Sequence, residues 1–258
     1  MRHTVDLPSA LGACDLLAHR LLAGKLVVGL DYDGTLCPIV ERPDAAAMSA
    51  TMRQTLEQLA AHCPVIVLSG RALDDLQTRV GVQRAWCAGC HGLEIAGPER
   101  GYVHPAARRC EPLIAALADE LEASLKDVKG VIIERKRYTV AVHCRMVAEE
   151  RRERVESAVK IARPGLLCRR GSKVYEFVPD TEWDKGRAME WMIDALGDSD
   201  VFPLFIGDDR TDEDAFVAIR DRGLAIVVST EARMTAATMR LSGPDEVYAL
   251  LQTLAGAC

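Results

Sequence analysis

The segment Asp31-Tyr32-Asp33-Gly34-Thr35-Leu36 follows an apolar run at residues 26–30 and indicates both a fold and a site. Two carboxylates two positions apart on a chain that leaves a strand can point toward one place. They repel each other there unless a cation or a shared proton offsets their charges. Gly34 permits a sharp turn beside them, and Thr35 supplies a hydroxyl. The segment therefore predicts a charged site at the end of a strand, with a simple turn as the alternative.

Short apolar runs alternate with segments of helical periodicity on both sides of this segment. Strands are predicted at 25–30, 64–68, 85–88, 201–206 and 224–228, and helices at 48–62, 72–80, 185–196, 212–220 and from Pro244. Such alternation is typical of parallel βαβ units. We therefore expect an α/β fold with a doubly wound, mostly parallel sheet as its core.

A second acidic segment, Gly207-Asp208-Asp209-Arg210-Thr211-Asp212-Glu213-Asp214, also follows a predicted strand. In open α/β sheets, ligands bind beyond the carboxyl ends of the strands, where Asp31, Ser69 and Asp208 fall. A set of oxygen ligands suits a hard cation, and Mg²⁺ is the obvious candidate. For the acids at 212–214, a helix N-terminus is the alternative, because it also favours negative charge.

The middle of the chain has a different pattern. A helix with a stripe of Leu113, Leu117, Leu121 and Leu125, a hairpin at 131–143, a helix at 149–161 and a second hairpin at 166–178 make an αββαββ order. We expect a core domain of 1–103 and 181–258 and an inserted α+β cap domain of 104–180. The insert holds 16 Lys and Arg against 12 Asp and Glu, a net charge of +4, whereas the rest carries −10. A basic insert in an acidic frame suits an anionic substrate, and a solvated mixed-charge surface is the alternative.

Composition excludes several classes of protein. The 258 residues carry a net charge of −6, which argues against a nucleic-acid binder held by phosphate contacts. No apolar run approaches the ~18 residues of a membrane span, the N-terminus lacks an export pattern, and no obligate protein partner is evident. Nine cysteines at irregular spacing do not form a disulfide framework and favour the cytoplasm. Cys87-Ala88-Gly89-Cys90-His91 matches the haem-attachment pattern, but that attachment belongs to exported chains, and one cysteine pair is weak support for zinc.

Taken together, these segments resemble the four motifs of the haloacid dehalogenase superfamily of phosphotransferases. Asp31–Leu36 is similar to the first motif, Ser69 to the second, Lys185 to the third, and Gly207-Asp208-Asp209 to the fourth. Their order along the chain and their spacing also match. The resemblance implies a Mg²⁺-dependent phosphotransferase with an aspartate nucleophile.

Within the superfamily, the chain resembles the trehalose-6-phosphate phosphatase family over roughly residues 25 to 230. The matching segments are Leu68-Ser69-Gly70-Arg71, Gly89-Cys90-His91-Gly92-Leu93-Glu94, Glu134-x-Lys136, His143-x-Arg145, Lys173-x-x-Glu176 and Gly207-Asp208-Asp209-x-Thr211-Asp212-Glu213. The chain departs from the family pattern at Cys90, Tyr138 and Phe177.

The resemblance implies a role for each matched residue. Asp31 is the expected nucleophile and Asp33 the general acid and base, while Lys185 and Ser69 neutralise the phosphoryl oxygens. Asp31, Asp208 and the backbone carbonyl of Asp33 are the expected Mg²⁺ ligands, with Asp209 and Asp212 supporting them. Substrate contacts are expected from Thr35, Gly70, Arg71, His91, Gly92, Glu134, Lys136, His143, Arg145, Lys173 and Glu176. The insert is expected to close over the site and to select the sugar phosphate.

Other functions remain compatible with the sequence. The same fold could act on a sucrose or mannosylglycerate phosphate, or as a phosphomutase. A sugar-phosphate sensor without catalysis would show the loss of an acidic or lysine motif residue, and none is lost here. For the polar hairpin residues of the insert, a cross-strand ion pair is the structural alternative, and a structural histidine is the alternative for His91.

Overall fold

The chain divides into two units. The computed structural model describes residues 1–40, 42–161, 163–171, 173–198 and 200–257. The larger unit comprises Met1–Tyr102 and Trp183–Cys258, and the smaller unit comprises Val103–Glu182. None of the helices in the described part of the chain combines the length and apolar character needed to cross a lipid bilayer.

Helices and strands alternate along the larger unit; all elements are numbered in chain order. Its helices are α1 (Cys14–Leu22), α2 (Ala50–Ala60), α3 (Leu73–Val80), α6 (Lys185–Ala195), α7 (Glu213–Ile219) and α8 (Pro244–Ala255). Its strands are β1 (Arg2–His3), β2 (Leu26–Asp31), β3 (Val65–Leu68), β4 (Trp86–Gly89), β5 (Glu94–Ala96), β6 (Gly101–Val103), β11 (Phe202–Gly207), β12 (Leu224–Val228), β13 (Met234–Thr235) and β14 (Met239–Leu241). The predicted strands and helices are present, with bounds shifted by one or two residues at most ends.

A mostly parallel sheet organises the larger unit. Within the described residues, eight strands pair in the order β14-β12-β11-β2-β3-β4-β5-β6. The pairs from β14 to β4 are parallel, and β5 pairs antiparallel to β4. The sequence did not predict the sheet strands β5, β6 and β14, the short pair of β1 and β13, or helix α1. The expected doubly wound, mostly parallel core is confirmed.

Helices cover both faces of this sheet. Alternate residues of β2 belong to different cores: Leu26, Val28 and Leu30 lie in the core that includes residues of α1, α2 and α8, whereas Val27 lies in the core with α6 and α7. Gly29 faces the second core, where a Cβ atom would lie 2.6 Å from the ring of Phe205. A strand buried on both faces accounts for the continuous apolar run before Asp31.

The smaller unit has the expected αββαββ order. Its elements are α4 (Pro105–Leu125), β7 (Ile132–Arg135), β8 (Val140–His143), α5 (Glu149–Val159), β9 (Leu166–Gly171) and β10 (Val174–Pro179). The strands form an antiparallel sheet in the order β7-β8-β10-β9.

One face of the smaller sheet packs against helices. Val140, Val142 and Phe177 join the apolar residues of α4 and α5 in one core. The predicted helix stripe was wrong at its first position, since Leu113 is 48% exposed and Ile114 is buried instead. The departures Tyr138 and Phe177 are both buried, at 1% and 2% exposure.

Candidate active site

Three adjacent strands bring the predicted catalytic residues to one edge of the sheet. Asp31 ends β2 and lies opposite Leu68 of β3, so Ser69 follows immediately beside it. Asp208 follows β11, which pairs with β2 on the other side. Because all three strands are parallel, their carboxyl ends meet, and the site is assembled from segments far apart in sequence.

Lys185 lies between two buried carboxylates. Its Nζ donates to Asp31 Oδ1 at 2.6 Å and to Asp212 Oδ1 at 2.7 Å, and all three side chains are buried. Burial alone would lower the pKa of Lys185, but the carboxylates of Asp212 and Asp31 raise it above its ordinary value. Burial also raises the pKa of Asp31 well above its usual range, although the Lys185 ammonium opposes this. The lysine is therefore a fixed positive charge at the site.

Three carboxylates converge around this lysine. Asp31, Asp208 and Asp212 each offer an oxygen, and these oxygens lie within 4.8 Å of one another. Burial and the Asp212 charge raise the pKa of Asp208 to about 7. Asp208 Oδ1 is buried without a hydrogen-bond partner among the described residues. An all-oxygen group with an unsatisfied buried carboxylate oxygen fits the Mg²⁺ expected from the sequence.

The loop after β2 approaches this acidic group closely. Gly34 has a φ of +84°, and a Cβ atom there would lie 2.2 Å from Asp208 Oδ2. Glycine is therefore needed both for the turn and for the contact. Thr35 is fully buried, and its hydroxyl has no hydrogen-bond partner among the described residues.

The two acids expected to support the metal ligands occupy different positions. Asp212 is fully buried and accepts the backbone N–H of Asp209 at 2.9 Å. The carboxylate of Asp209 accepts a backbone N–H of the same turn, and the residue is exposed. The absence of a side chain at Gly207 leaves room for the Asp212 side chain, because a Cβ atom at position 207 would lie 2.3 Å from Asp212 Cγ. Asp212 therefore belongs to the acidic group, while Asp209 closes the turn.

The side chain of Arg71 is buried and hydrogen-bonded to Asp33. Its Nε and Nη2 donate to the two carboxylate oxygens of Asp33 at 2.7 Å each, and Nη1 donates to Asp75 Oδ2 at 2.9 Å. The guanidinium also lies 5.4 Å from the ring centroid of Tyr32. Arg71 was predicted as a substrate-binding residue; the structure places it, 7% exposed, between Asp33 and Asp75. The sequence analysis did not single out Asp75, although its i,i+4 spacing from Arg71 is a helical ion-pair signal.

The segment with His91 packs against the turn that follows β3. Cys90 and His91 have φ values of +49° and +58°, an uncommon conformation for residues other than glycine. The His91 N–H donates to the Ser69 carbonyl at 2.9 Å, and a Cβ atom at Gly70 would lie 2.8 Å from the His91 ring. The indole N–H of Trp183 donates to the Gly92 carbonyl at 2.9 Å. The structure thus brings Ser69, Gly70, His91 and Gly92 together, as expected for one site.

The two cysteines of the haem-like segment, Cys87 and Cys90, are buried. Burial raises the pKa of Cys87 to about 12, so the thiol stays protonated at neutral pH. Metals bind the thiolate form, and this environment disfavours it.

The smaller unit carries its own polar cluster on the sheet face opposite its core. Glu134 and Glu176 both lie opposite Ala141, on the two strands that flank β8. Lys136 Nζ donates to Glu176 Oε1 at 2.8 Å, and His143 Nε2 lies 2.9 Å from Glu134 Oε2. Thr139, which sequence reasoning missed, donates to Glu176 Oε1 at 3.2 Å.

The cluster is charged and compact. Burial would raise the pKa of Glu134, but the hydrogen bond with His143 and the Lys136 charge lower it. Arg145 and Lys173, which the sequence placed with these residues, are exposed in the connections next to the strands and are not part of the cluster. Arg145 lies in the turn after β8, and Lys173 precedes β10 with a φ of +60°, so neither continues the extended backbone that alternation requires.

Comparison with known proteins assigns this chain to a family. A profile described as trehalose-phosphatase matches residues 29–245. The "Trehalose-phosphate phosphatase" of Mycobacterium tuberculosis is 41% identical over 263 residues, which cover 98% of this chain and 67% of that protein. An "Uncharacterized glycosyl hydrolase" of the same organism is 41% identical over 260 residues, which cover 96% of this chain and 20% of that protein. The chain thus spans about a fifth of the length of that relative.

A solved structure shares the fold. The C-terminal domain of the C. albicans trehalose-6-phosphate phosphatase superposes with a TM-score of 0.81 at 22% identity, covering 97% of this chain and 98% of that one.

Proposed function

Because the chain belongs to the trehalose-phosphatase family, we propose that it hydrolyses trehalose 6-phosphate to trehalose and phosphate, the last step of trehalose biosynthesis. The observation that carries the proposal is the buried cluster in which Lys185 bonds both Asp31 and Asp212 beside Asp208. Four buried or partly buried ionisable groups in one place cost stability, and such clusters are typical of functional sites. The proposed location is the cytoplasm, as the cysteine pattern favours.

The proposed metal is Mg²⁺, held by the carboxylates of Asp31 and Asp208 and by the backbone carbonyl of Asp33. When bound, the cation would offset negative charge on the transferring phosphoryl group. The convergence of the Asp31, Asp208 and Asp212 oxygens supports this assignment. Asp212 keeps Lys185 in place, and Asp209 holds the turn between Asp208 and Asp212.

Asp31 is the proposed nucleophile. Its carboxylate oxygen forms a bond to phosphorus while the bond between phosphorus and the sugar oxygen breaks, which leaves an aspartyl-phosphate. Lys185, already 2.6 Å from Asp31 Oδ1, orients the carboxylate and stabilises charge on the phosphoryl oxygens. The Ser69 hydroxyl accepts the Arg71 backbone N–H at 3.2 Å, so its own proton can be donated to a phosphoryl oxygen.

Asp33 is the proposed general acid and base. It protonates the departing sugar oxygen and then takes a proton from the water that cleaves the aspartyl-phosphate. Asp33 is suited to this role because its side chain is 38% exposed, whereas that of Asp31 is 7% exposed. The partly exposed carboxylate can exchange protons with water and substrate.

The polar cluster of the smaller unit is the proposed binding site for the sugar. Glu134 and Glu176 offer acceptors for hydroxyls, and Lys136 and His143 offer donors. Ala141 lies between the two glutamates and leaves space above the sheet. This arrangement suits a polyhydroxylated ligand, and it supports the prediction that the insert selects the substrate.

A substrate panel tests the proposal directly. Phosphate release would be measured with Mg²⁺ on trehalose 6-phosphate, sucrose and mannosylglycerate phosphates, glucose 6-phosphate and p-nitrophenyl phosphate. We expect the highest kcat/KM for trehalose 6-phosphate. A higher value for another sugar phosphate would move the assignment to that substrate, and phosphate transfer between sugar positions without release would indicate a mutase. The absence of release from every ester would favour a sensor.

A further inference from the structure

Each of the two aspartates of the first motif has its own cation. Asp31 is paired with Lys185, which also holds Asp212, and Asp33 is paired with Arg71, which also holds Asp75. The two pairs are separate although Asp31 and Asp33 are two residues apart. Lys185 meets its carboxylates through a single ammonium, whereas Arg71 meets Asp33 through two parallel hydrogen bonds.

The double contact fixes the plane of the Asp33 carboxylate. Arg71 Nε donates to Oδ2 and Nη2 donates to Oδ1, each at 2.7 Å. Paired hydrogen bonds between a guanidinium and a carboxylate define direction as well as distance. A lysine at this position would supply the positive charge but would not fix the plane of the Asp33 carboxylate.

Arg71 is itself held on several sides. Its Nη1 bonds Asp75, which also accepts from Arg79 Nε at 2.7 Å, and its guanidinium lies over the Tyr32 ring. All three guanidinium nitrogens are thus engaged with carboxylates of the protein. Burial opposes the charge, but the bonds to Asp33 and Asp75 raise the pKa of Arg71 above its ordinary value. These contacts make a substrate-binding role for Arg71 less suitable than a positioning role.

We propose that Arg71 is a positioning residue that sets the orientation of Asp33 for proton transfer to the leaving sugar oxygen. This inference rests on the acid–base role that the proposed function gives to Asp33. Asp75 acts one step further away, because it anchors the guanidinium to α3.

The dependence on the leaving group distinguishes positioning from substrate binding. A sugar oxygen leaves poorly without a proton, whereas a nitrophenolate leaves readily without one. General acid–base catalysis is worth roughly 10²–10⁴-fold, so Arg71→Ala should lower kcat for trehalose 6-phosphate by about 10–100-fold. The same variant should lower kcat/KM for p-nitrophenyl phosphate by less than about threefold, because kcat/KM covers only the steps through departure of the leaving group and not the later attack of water that Asp33 also assists.

Three further variants define the effect. Arg71→Lys should recover only part of the loss, because it restores the charge without the double contact. Added guanidinium ion should partly restore the activity of Arg71→Ala on trehalose 6-phosphate. Asp75→Asn should show the same selective loss of activity, but a smaller one. Arg240→Ala is the matched control, since Arg240 donates to the Leu7 carbonyl away from the site, and it should change neither rate.

Several outcomes would overturn the inference. A raised KM with unchanged kcat for Arg71→Ala would show that Arg71 binds substrate, and equal losses across a series of aryl phosphates of increasing leaving-group basicity would show a general structural role. The aryl series also separates this inference from the assignment of trehalose 6-phosphate, because it needs no particular sugar. A crystal structure of Arg71→Ala gives an independent measurement: the Asp33 carboxylate should leave its wild-type orientation, and an unchanged orientation would contradict the inference.

Discussion

At the scale of single residues, the surroundings of a carboxylate decide its role. Asp31 is buried beside a lysine and two other acids, so it has a fixed position and a strongly perturbed pKa. Asp33 is partly exposed and bonded by an arginine. Two adjacent carboxylates with such different environments are suited to two different steps of one reaction.

Substitution of the two aspartates should separate those steps. Asp31→Asn removes the nucleophile, so it should abolish both turnover and labelling of the protein by a phosphate mimic. Asp33→Asn keeps the nucleophile but removes both the acid for the leaving group and the base for the water. It should therefore slow formation of the aspartyl-phosphate from esters with poor leaving groups, and slow breakdown of the aspartyl-phosphate for every ester. Turnover measurements and trapping of the covalent intermediate test this, and substantial activity in Asp31→Asn would contradict the assigned roles.

Metal binding should depend on pH because Asp208 must lose its proton to bind a cation. Burial raises the pKa of Asp208 from its ordinary value of 3.8 to about 7 in the folded protein. The folded state therefore keeps this proton while the unfolded state releases it. This contribution to stability is present at low pH and is lost as pH rises from about 4 to about 7.

Mg²⁺ should reverse that loss, so we expect the rise in Tm on adding Mg²⁺ to be small near pH ~5.5 and larger near pH ~8. Thermal denaturation with Mg²⁺ and with a chelator measures the difference, and the chelator should also abolish turnover. Asp208→Asn, as the control, should show neither the Mg²⁺ effect nor its pH dependence. Full turnover in excess chelator, or an equal rise in Tm on adding Mg²⁺ at both pH values, would contradict the metal assignment.

At the scale of elements, Lys185 occupies an unfavourable position that other groups offset. It is the first residue of α6, where the helix dipole disfavours a positive charge. Asp184 is the N-cap of this helix and accepts the Arg187 N–H at 2.8 Å. The carboxylates of Asp31 and Asp212 add further negative charge. The start of α6 is therefore held by its cap and by its catalytic contacts together.

Removal of this cap should affect both stability and rate. Asp184→Ala should lower the free energy of unfolding by about 1 kcal/mol and lower kcat, because Lys185 loses its fixed backbone. Ser49→Ala is the matched control: Ser49 caps α2 through the Met52 N–H at 3.1 Å, away from the site. Ser49→Ala should lower the free energy of unfolding by a similar amount without changing kcat. Denaturant unfolding and steady-state kinetics measure both quantities, and equal kinetic effects would contradict a special role for the α6 cap.

The elements that sequence predicted share one property. β2, β3, β11 and α6 have long apolar patterns that leave few alternatives. By contrast, β5 and β6 have three residues each at the edge of the sheet, and their short, partly exposed segments give no clear alternation. The convergence of Asp31 and Asp208 at one edge of the sheet could be predicted because both acids come at the ends of buried parallel strands. The contact between Arg71 and Asp33 could not, because it joins side chains 38 positions apart and depends on their rotamers.

At the scale of the whole molecule, catalysis and selection of substrate are assigned to different units. The residues of the four motifs all lie in the larger unit, and the cluster of Glu134, Lys136, His143 and Glu176 lies in the smaller one. In the proposed function, the motif residues carry out phosphoryl transfer and the cluster of the smaller unit selects the sugar. This division allows each function to be changed separately by substitution.

Glu176→Gln should therefore reduce activity selectively. The change removes the charge bonded to Lys136 and Thr139 but keeps the size of the side chain. A hydrogen bond that a sugar hydroxyl donates to a buried carboxylate contributes roughly 1.5–3 kcal/mol, so kcat/KM for trehalose 6-phosphate should fall by about 10–100-fold.

Hydrolysis of p-nitrophenyl phosphate should change far less, because that ester lacks the sugar hydroxyls. Glu111→Gln is a control in the same unit, since Glu111 pairs only with exposed Arg137 in the contacts described here, and it should leave both rates unchanged. Equal losses on both esters for Glu176→Gln would indicate misfolding or a role in the chemistry instead.

The aromatic side chains have a consequence for spectroscopy. The three tryptophans, Trp86, Trp183 and Trp191, all belong to the larger unit, where Tyr102 stacks on Trp191 at 4.6 Å and lies 5.5 Å from Trp183. The smaller unit contains tyrosines but no tryptophan. Tryptophan emission therefore reports on the larger unit, and melting of the smaller unit by itself would leave that signal largely unchanged. Circular dichroism would detect such an event, and a mismatch between the two melting curves would measure how independently the units unfold.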